Sequence, residues 1–447
     1  MVGNLEKILQ GYLPQDHKFE ILHLQNTPTQ VRPIVTLPKK NCHTKSQDVT
    51  IKTPHFFALA NNSKFIYGIE IHVYIILKNN NNNNNDTVNE KNPSYDDAER
   101  LIFISKADTN GYSDIKFSAK QITKGIIHYL FSIDPNHYLK QVVPLERKYE
   151  QSFSKIFITK ETSLENALQI LSNRSHQKEK SQAVRKKMLQ SHQHYLSFKL
   201  ANKIRTKLCL FTRPADQYLF AESSKNPNKH TLSGMGLLKW WLSIIDDLLC
   251  EDFTKDSEGK LRIPGEESII VKRCFKPNNF SNWTVGDIFG GKPNSLAIFS
   301  VPLFSDDPKS RFLHELVEEA RVMKTNLETF WMELQERQEF KLSETVSVIG
   351  ISGYTAISTA VIPTEFDTII TDSKKQYRYI KNYITGEEYN AEEGALESYV
   401  NIVDYLRYKY NRSLTSIVGT MPKNLKVKEP VNTPQITTLQ PRKKIKI

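Results

Sequence analysis

The sequence predicts an α/β protein, because strand-period and helix-period apolar patterns both occur along one chain. Between 65 and 77 every odd position (Phe65, Tyr67, Ile69, Ile71, Val73, Ile75, Leu77) is apolar, the two-residue repeat of a half-buried strand. A second strand at 101–105 leads through a loop to Ile122, Ile126, Ile127, Leu130 and Phe131, which recur at helical spacing. Residues 235–249 are apolar nearly all round, with Leu237, Leu238, Trp240, Trp241, Leu242, Ile244, Ile245, Leu248 and Leu249, and predict a buried helix.

Ser118 and Gln121 stand at capping-box spacing and start the helix after the 101–105 strand. The loop between them holds Lys106, Ala107, Asp108, Thr109, Asn110 and Gly111, the order of parts from which phosphate sites at helix N-termini are built. That order is common, and a plain connecting loop is its commoner reading. Asp307 at an N-cap and Pro308 at the first helical position start another helix, carried by Phe312, Leu313, Leu316 and Val317. Further helices are predicted at 326–338 and 391–410, the last with Leu396, Tyr399, Val400, Val403 and Leu406 on one face.

These elements make one domain over 1–418, interrupted by two insertions predicted to be disordered. The first, near 79–95, contains an asparagine run that has nothing to bury. The second, 174–194, sets Arg174, Lys178, Lys180, Arg185, Lys186 and Lys187 against Glu179, and reads as a solvated linker or as a loop that folds on an acidic partner. Residues 419–447 read as a disordered tail whose Arg442, Lys443, Lys444 and Lys446 resemble a nuclear localisation signal.

Composition sets further bounds. In 447 residues, 39% are apolar, enough for a packed core, and no apolar run is long enough to span a membrane or serve as a secretion signal. An intracellular chain is expected, so the sequons at Asn282 and Asn411 are not expected to carry sugar. Cys42, Cys209, Cys250 and Cys274 are too far apart to suggest a disulfide framework or zinc site. The net charge of +12 suits either a polyanionic partner or simply a solubilising surface.

Several chemistries are weakened by spacing. His314-Glu315-Leu316-Val317-Glu318 has Glu where a zinc protease needs its second imidazole, so no metal site is predicted. Gly290-Gly291-Lys292 lacks the spacing of a phosphate-binding loop, and Gly350-Ile351-Ser352-Gly353 is one residue short of a nucleophile elbow. His192 and His194 lie in a basic stretch and read as solvated.

What remains is a set of aromatic and basic stretches without a nucleophile motif. They include 210–214, 217–220, Lys229-His230 and Trp240-Trp241; a wider set of stretches is 102–112, 211–220, 261–266, 333–342, Pro302-Leu303-Phe304-Ser305-Asp306-Asp307-Pro308-Lys309 and Tyr383-Ile384-Thr385-Gly386-Glu387-Glu388-Tyr389. In these the chain resembles the fungal histone H3 lysine acetyltransferases first named as regulators of transposition, from about residue 51 to 412. The asparagine run and the segment 150–194 depart from the family pattern.

The resemblance implies a central mixed β-sheet surrounded by helices, similar in architecture to the CREB-binding-protein acetyltransferases. It implies transfer of acetyl from acetyl-CoA to histone H3 in H3–H4, in the nucleus, in chromatin assembly and DNA repair. NAP-family and anti-silencing-factor chaperones are the implied partners, and direct DNA binding is not required. Tyr218 and Trp241 would line the lysine slot, with Asp307 assisting proton removal or steering and Asp306 beside it. Helix capping alone would also account for the two aspartates, and core packing for the tryptophans. Ala107, Asp108, Thr109, Lys116, Phe117, Ser118, Ala119 and Lys120 would take the phosphates and pantetheine. Phe211, Arg213, Ala215, His230, Thr231, Leu232 and Trp240 would complete the groove, and Lys309 matches a self-acetylated lysine. The competing reading is a non-catalytic chromatin or chaperone-binding module whose basic segments hold acidic partners.

Overall fold

The computed structural model describes residues 4–36, 48–78, 94–95, 97–144, 197–198, 204–275, 282–336, 344–357 and 361–422. The predicted insertion at 174–194 and the part of the first from 79 to 93 lie outside the described residues.

A mixed sheet organises the molecule. Its strands are β1 (Lys18–Asn26), β2 (Thr29–Val31), β3 (Val49–Asn61), β4 (Lys64–Lys78), β6 (Asp97–Thr109), β8 (Arg205–Thr212), β9 (Glu258–Arg262), β10 (Trp283–Val285), β11 (Ser347–Tyr354), β12 (Ile369–Thr371) and β13 (Thr415–Val418). The order is β10-β9-β11-β8-β6-β4-β3-β1-β12, with β13 on β1 and β2 on β3. Pairs β6/β8, β1/β12 and β9/β10 are parallel and the others antiparallel. Separately, β5 (Ser94–Tyr95) pairs with β7 (Ser197–Phe198), so the far end of the first predicted insertion is strand.

The helices are α1 (Asn4–Leu9), α2 (Ala119–Ser132), α3 (Gly234–Asp252), α4 (Ser268–Arg273), α5 (Pro308–Glu318), α6 (Leu327–Gln335), α7 (Lys374–Thr385) and α8 (Glu392–Tyr410). Helices α1, α2 and α3 bury one face of the sheet, where Ile69, Ile71, Val73, Ile75 and Leu77 of β4 meet Ile122, Ile126, Leu242 and Ile245. Helices α7 and α8 cover part of the other face, against Leu22, Leu24, Phe56 and Phe65. Strand β4 is therefore buried on both sides, not half-buried as its alternation predicts. The polar residues at its even positions 70, 72 and 74 are covered: Glu70 is held by Lys381 of α7 at 3.1 Å, His72 is buried, and Tyr74 packs with Leu101, Phe103 and Phe304.

Helices α2 and α3 are joined by contacts from successive turns of α2: Lys120 pairs with Asp247, Lys124 with Glu251, and His128 Nδ1 lies 3.0 Å from Asp252 Oδ1. Arg100 on β6, fully buried, closes the end of α2 by donating to the carbonyls of Leu130 (3.3 Å), Phe131 (2.8 Å) and Ile133 (3.4 Å). A guanidinium there satisfies carbonyls that the helix end leaves orphaned.

Two boundaries differ from expectation. Strand β6 runs to Thr109, so residues 106–109, expected in a loop, are extended and pair with β4. Residues 419–421, expected in the tail, are pinned: Gly419 donates to His17 O at 3.0 Å and Met421 to Leu13 O at 2.9 Å. Residues 423–447 lie outside the described residues.

Candidate active site

The site lies where two parallel strands part. Strands β6 and β8 pair from Glu99 and Arg205 as far as Ile104 and Leu210. At that point the register of β6 against β4 shifts: Ile71 stands opposite Ile104 and Glu70 opposite Lys106, leaving Ser105 as the extra residue. A bulge bends its strand and interrupts pairing. A pocket of about 200 Å³ occupies the fork, lined by 104–107 of β6, 210–212 of β8, Arg213, Tyr218, Leu237, Trp240, Trp241, Asp306, Pro308 and Arg311. The Ser105 hydroxyl is buried there and has no hydrogen-bond partner among the described residues.

Helix α3 brings the tryptophans. Its start is capped by Ser233, which accepts from Gly236 N at 3.3 Å, while Gly234 N donates to Glu344 Oε2 at 2.9 Å. Gly234 lies so close to the following segment that a Cβ would stand 2.2 Å from Thr345 O. Only glycine fits that approach. Trp240 and Trp241 then meet edge-on, 4.8 Å between centroids; Trp241 is buried and Trp240 half-buried.

Asp108 builds the third wall from within. Its Oδ2 accepts from Tyr218 N (2.8 Å), Leu219 N (2.9 Å) and Phe220 N (3.3 Å), and its Oδ1 from Thr109 N (2.9 Å). Lys229, also buried, pairs with Oδ1 at 2.9 Å. A carboxylate so engaged positions the 213–230 segment and has no lone pair to spare for a ligand. Tyr218 Oη donates to Arg213 O at 2.7 Å and accepts from Ala215 N at 2.9 Å, so the hydroxyl staples its own turn and the ring faces the pocket. Burial pushes this phenol up to about 12.

The two aspartates separate. Asp306 is exposed with φ +59, lines the pocket, and sits 3.4 Å from Lys106 Nζ. Asp307 is buried and does not line the pocket; its Oδ1 accepts from Lys309 N at 3.1 Å and caps α5. Lys309 Nζ lies 2.9 Å from Asp307 Oδ1 and 2.7 Å from Oδ2, and 4.8 Å from the centre of the Phe211 ring.

Of the site residues expected from sequence, the fold gathers Ala107, Phe211, Arg213, Tyr218, Trp240, Trp241 and Asp306 around this pocket. Asp307 and Lys309 form a buried pair behind its wall. Asp108, Thr109 and Ala215 shape the walls through backbone contacts, whereas Lys116, Phe117, Ser118, Ala119 and Lys120 sit at the start of α2 and His230, Thr231 and Leu232 before α3, none lining the pocket. Ser118 caps α2 and Lys120 is paired with Asp247 at 2.9 Å. Ile104, Ser105, Leu210, Thr212, Leu237 and Arg311 also line the pocket, and no sequence pattern marks them as site residues. Only the strand bulge and the helix phase bring them in.

The histone acetyltransferase KAT11-type domain family matches residues 5–405. A Candida albicans histone acetyltransferase RTT109 is 30% identical over 341 residues, 75% of this chain and 84% of that protein. A Schizosaccharomyces pombe histone acetyltransferase rtt109 is 29% identical over 266 residues, 54% of this chain and 69% of that protein. The crystal structure of Rtt109 from Aspergillus fumigatus superposes with a TM-score of 0.62 at 17% identity, covering 94% of this chain and 100% of that one. That likeness establishes the fold, an α/β acetyltransferase architecture with a mixed central sheet. The non-catalytic reading falls with the family match, and the chain belongs to the KAT11-type histone acetyltransferase family.

Proposed function

We propose that this chain transfers the acetyl group of acetyl-CoA to lysines of histone H3 in H3–H4, in the nucleus, with acidic histone chaperones as partners in chromatin assembly and DNA repair. The observation that carries this reading is the aromatic-walled fork between β6 and β8. Beyond Ile104 and Leu210 the two strands no longer pair with each other among the described residues, which suits the amides of a pantetheine arm. A pocket of about 200 Å³ suits the thioester end and part of that arm. Acetyl-CoA supplies an activated acyl group; the protein's task is to present a neutral amine to it.

A lysine has an ordinary pKa near 10.4, so the slot must favour its uncharged form. Phe211, Tyr218, Trp240 and Trp241 supply apolar walls that disfavour the ammonium. Asp306 is the carboxylate at the pocket, placed to attract the incoming ammonium, with Lys106 balancing its charge. Asp307 acts one layer back, holding Lys309 and the start of α5. Lys309 is the proposed self-acetylated lysine, and its burial means that α5 must loosen for Nζ to reach an acetyl donor.

The test is to incubate the full chain with acetyl-CoA and H3–H4, with and without an acidic chaperone, and to map acetyl groups by mass spectrometry. Acetylated H3 lysines, enhanced by the chaperone, are expected. Modification confined to other histones, or indifference to the chaperone, would overturn the corresponding part of the reading.

A further inference from the structure

We propose that the tyrosine-rich, basic end of the α7–α8 hairpin is a docking surface for an acidic segment of a partner protein. The inference rests on the histone-lysine reading above for why such a partner is needed. The two helices run antiparallel: Gln376 reaches Tyr410 and Tyr379 meets Tyr405 at one end, while Glu387 meets Asn401 at the other.

At the first end the tyrosines form a ladder. Tyr379 and Tyr383 share a hydrogen bond of 2.8 Å between hydroxyls, and their rings lie 5.7 and 5.1 Å from Tyr405. Lys409 Nζ stands 5.5 Å from the Tyr405 ring centre. Tyr379 is 54% exposed and Tyr408 95% exposed. Aromatic side chains so placed are rigid and amphipathic, the kind that anchor interfaces.

Charge is divided between the ends. Lys374, Lys375, Arg378 and Arg407 are exposed here and make no ion pair among the described residues, against the carboxylates of Asp372 and Asp404. The opposite end carries Glu387, Glu388, Glu393 and Glu397. Histones are basic and this chain has a net charge of +12, so enzyme and substrate repel at long range. An acidic intermediary removes that repulsion, and this surface offers it cations beside aromatic anchors. Nucleic acid is the less favoured occupant, because Tyr379, Tyr383 and Tyr405 pack against one another instead of offering open faces to bases.

The test uses the full chain carrying Lys375→Ser, Arg378→Ser and Tyr408→Ser together, and a control carrying Lys140→Ser and Lys272→Ser, which removes as many exposed cations elsewhere. Binding of a labelled poly-glutamate peptide at low salt should weaken about fivefold or more in the triple variant and hold in the control. Unchanged binding in the triple variant, or equal loss in both, overturns the proposal. Loss confined to an oligothymidylate probe makes the surface a nucleic-acid site and overturns it too. Acetylation of a free H3 peptide should stay at wild-type level in the triple variant. If the wild type itself leaves H3 unmodified, the histone-H3 reading falls, while the poly-glutamate result still decides the surface.

Discussion

Lys309 Nζ and Asp307 Oδ2 lie 2.7 Å apart, and both side chains are closed to solvent. Such a pair gains little over an apolar isostere, but each charge depends on the other, and stripping one partner costs about 3–5 kcal/mol. Asp307→Asn should therefore melt well below wild type, because it leaves the Lys309 ammonium buried and uncompensated. Adding Lys309→Gln should restore much of the loss, measured by thermal melts of both singles and the double. Additive losses would show that the pair is not coupled.

The tryptophans should divide differently from two equal core residues. Trp241 is buried within the cluster that includes Leu238 and Leu242, so Trp241→Ala should cost about 3–5 kcal/mol of stability as well as activity. Trp240 is half-buried at the pocket, and Trp240→Ala should lose acetyl transfer with a much smaller drop in melting temperature. Equal melting temperatures for the two variants would contradict this.

Stability should fall on mild acidification. Burial pushes His23 down to about 3, His137 to about 4 and His55 well below its ordinary value, with neighbouring histidines adding to the effect at His23 and His55 and Lys140 adding to it at His137. A histidine whose folded pKa is depressed binds its proton more readily when unfolded. Its contribution is thus complete above about pH 6.5 and is lost as pH falls towards the folded values, at up to about 1.4 kcal/mol per pH unit for each group. Melts between pH 7.5 and 5 should show this slope, and His137→Gln should flatten it by one proton's share. A flat wild-type profile would refute it.

Arg100→Met should destabilise by about 2–4 kcal/mol, since it removes the donor to Leu130, Phe131 and Ile133 at the end of α2. Urea unfolding measures it, and a loss under about 0.5 kcal/mol would mean that water replaces the guanidinium there.

Much of the fold is legible in the sequence because local patterns set it. Ser118, Asp307 and Asn326 each cap the helix that their spacing predicts. The period of β4 is right, yet its even positions look solvent-facing because Glu70 and His72 are polar. Only tertiary placement of Lys381 shows them to be covered. The site is less legible for a similar reason. That Ser105 is a bulge depends on the register of β6 against β4, which no single strand encodes. The choice between Asp306 and Asp307 turns on the positive φ of Asp306, which points one carboxylate to the pocket and leaves the next under α5.

The parallel pairing of β6 with β8 has an evolutionary consequence. Two strands that form the fork are joined by the long connection 110–204, which includes α2 and departs at the ends of strands that other contacts already fix. Closing a flexible connection costs only about 0.6 kcal/mol more for each doubling of its length. No described residue of 110–204 lines the fork, so growth or divergence within that connection leaves the pocket's lining almost untouched, and new partner-binding segments can be added there without rebuilding it.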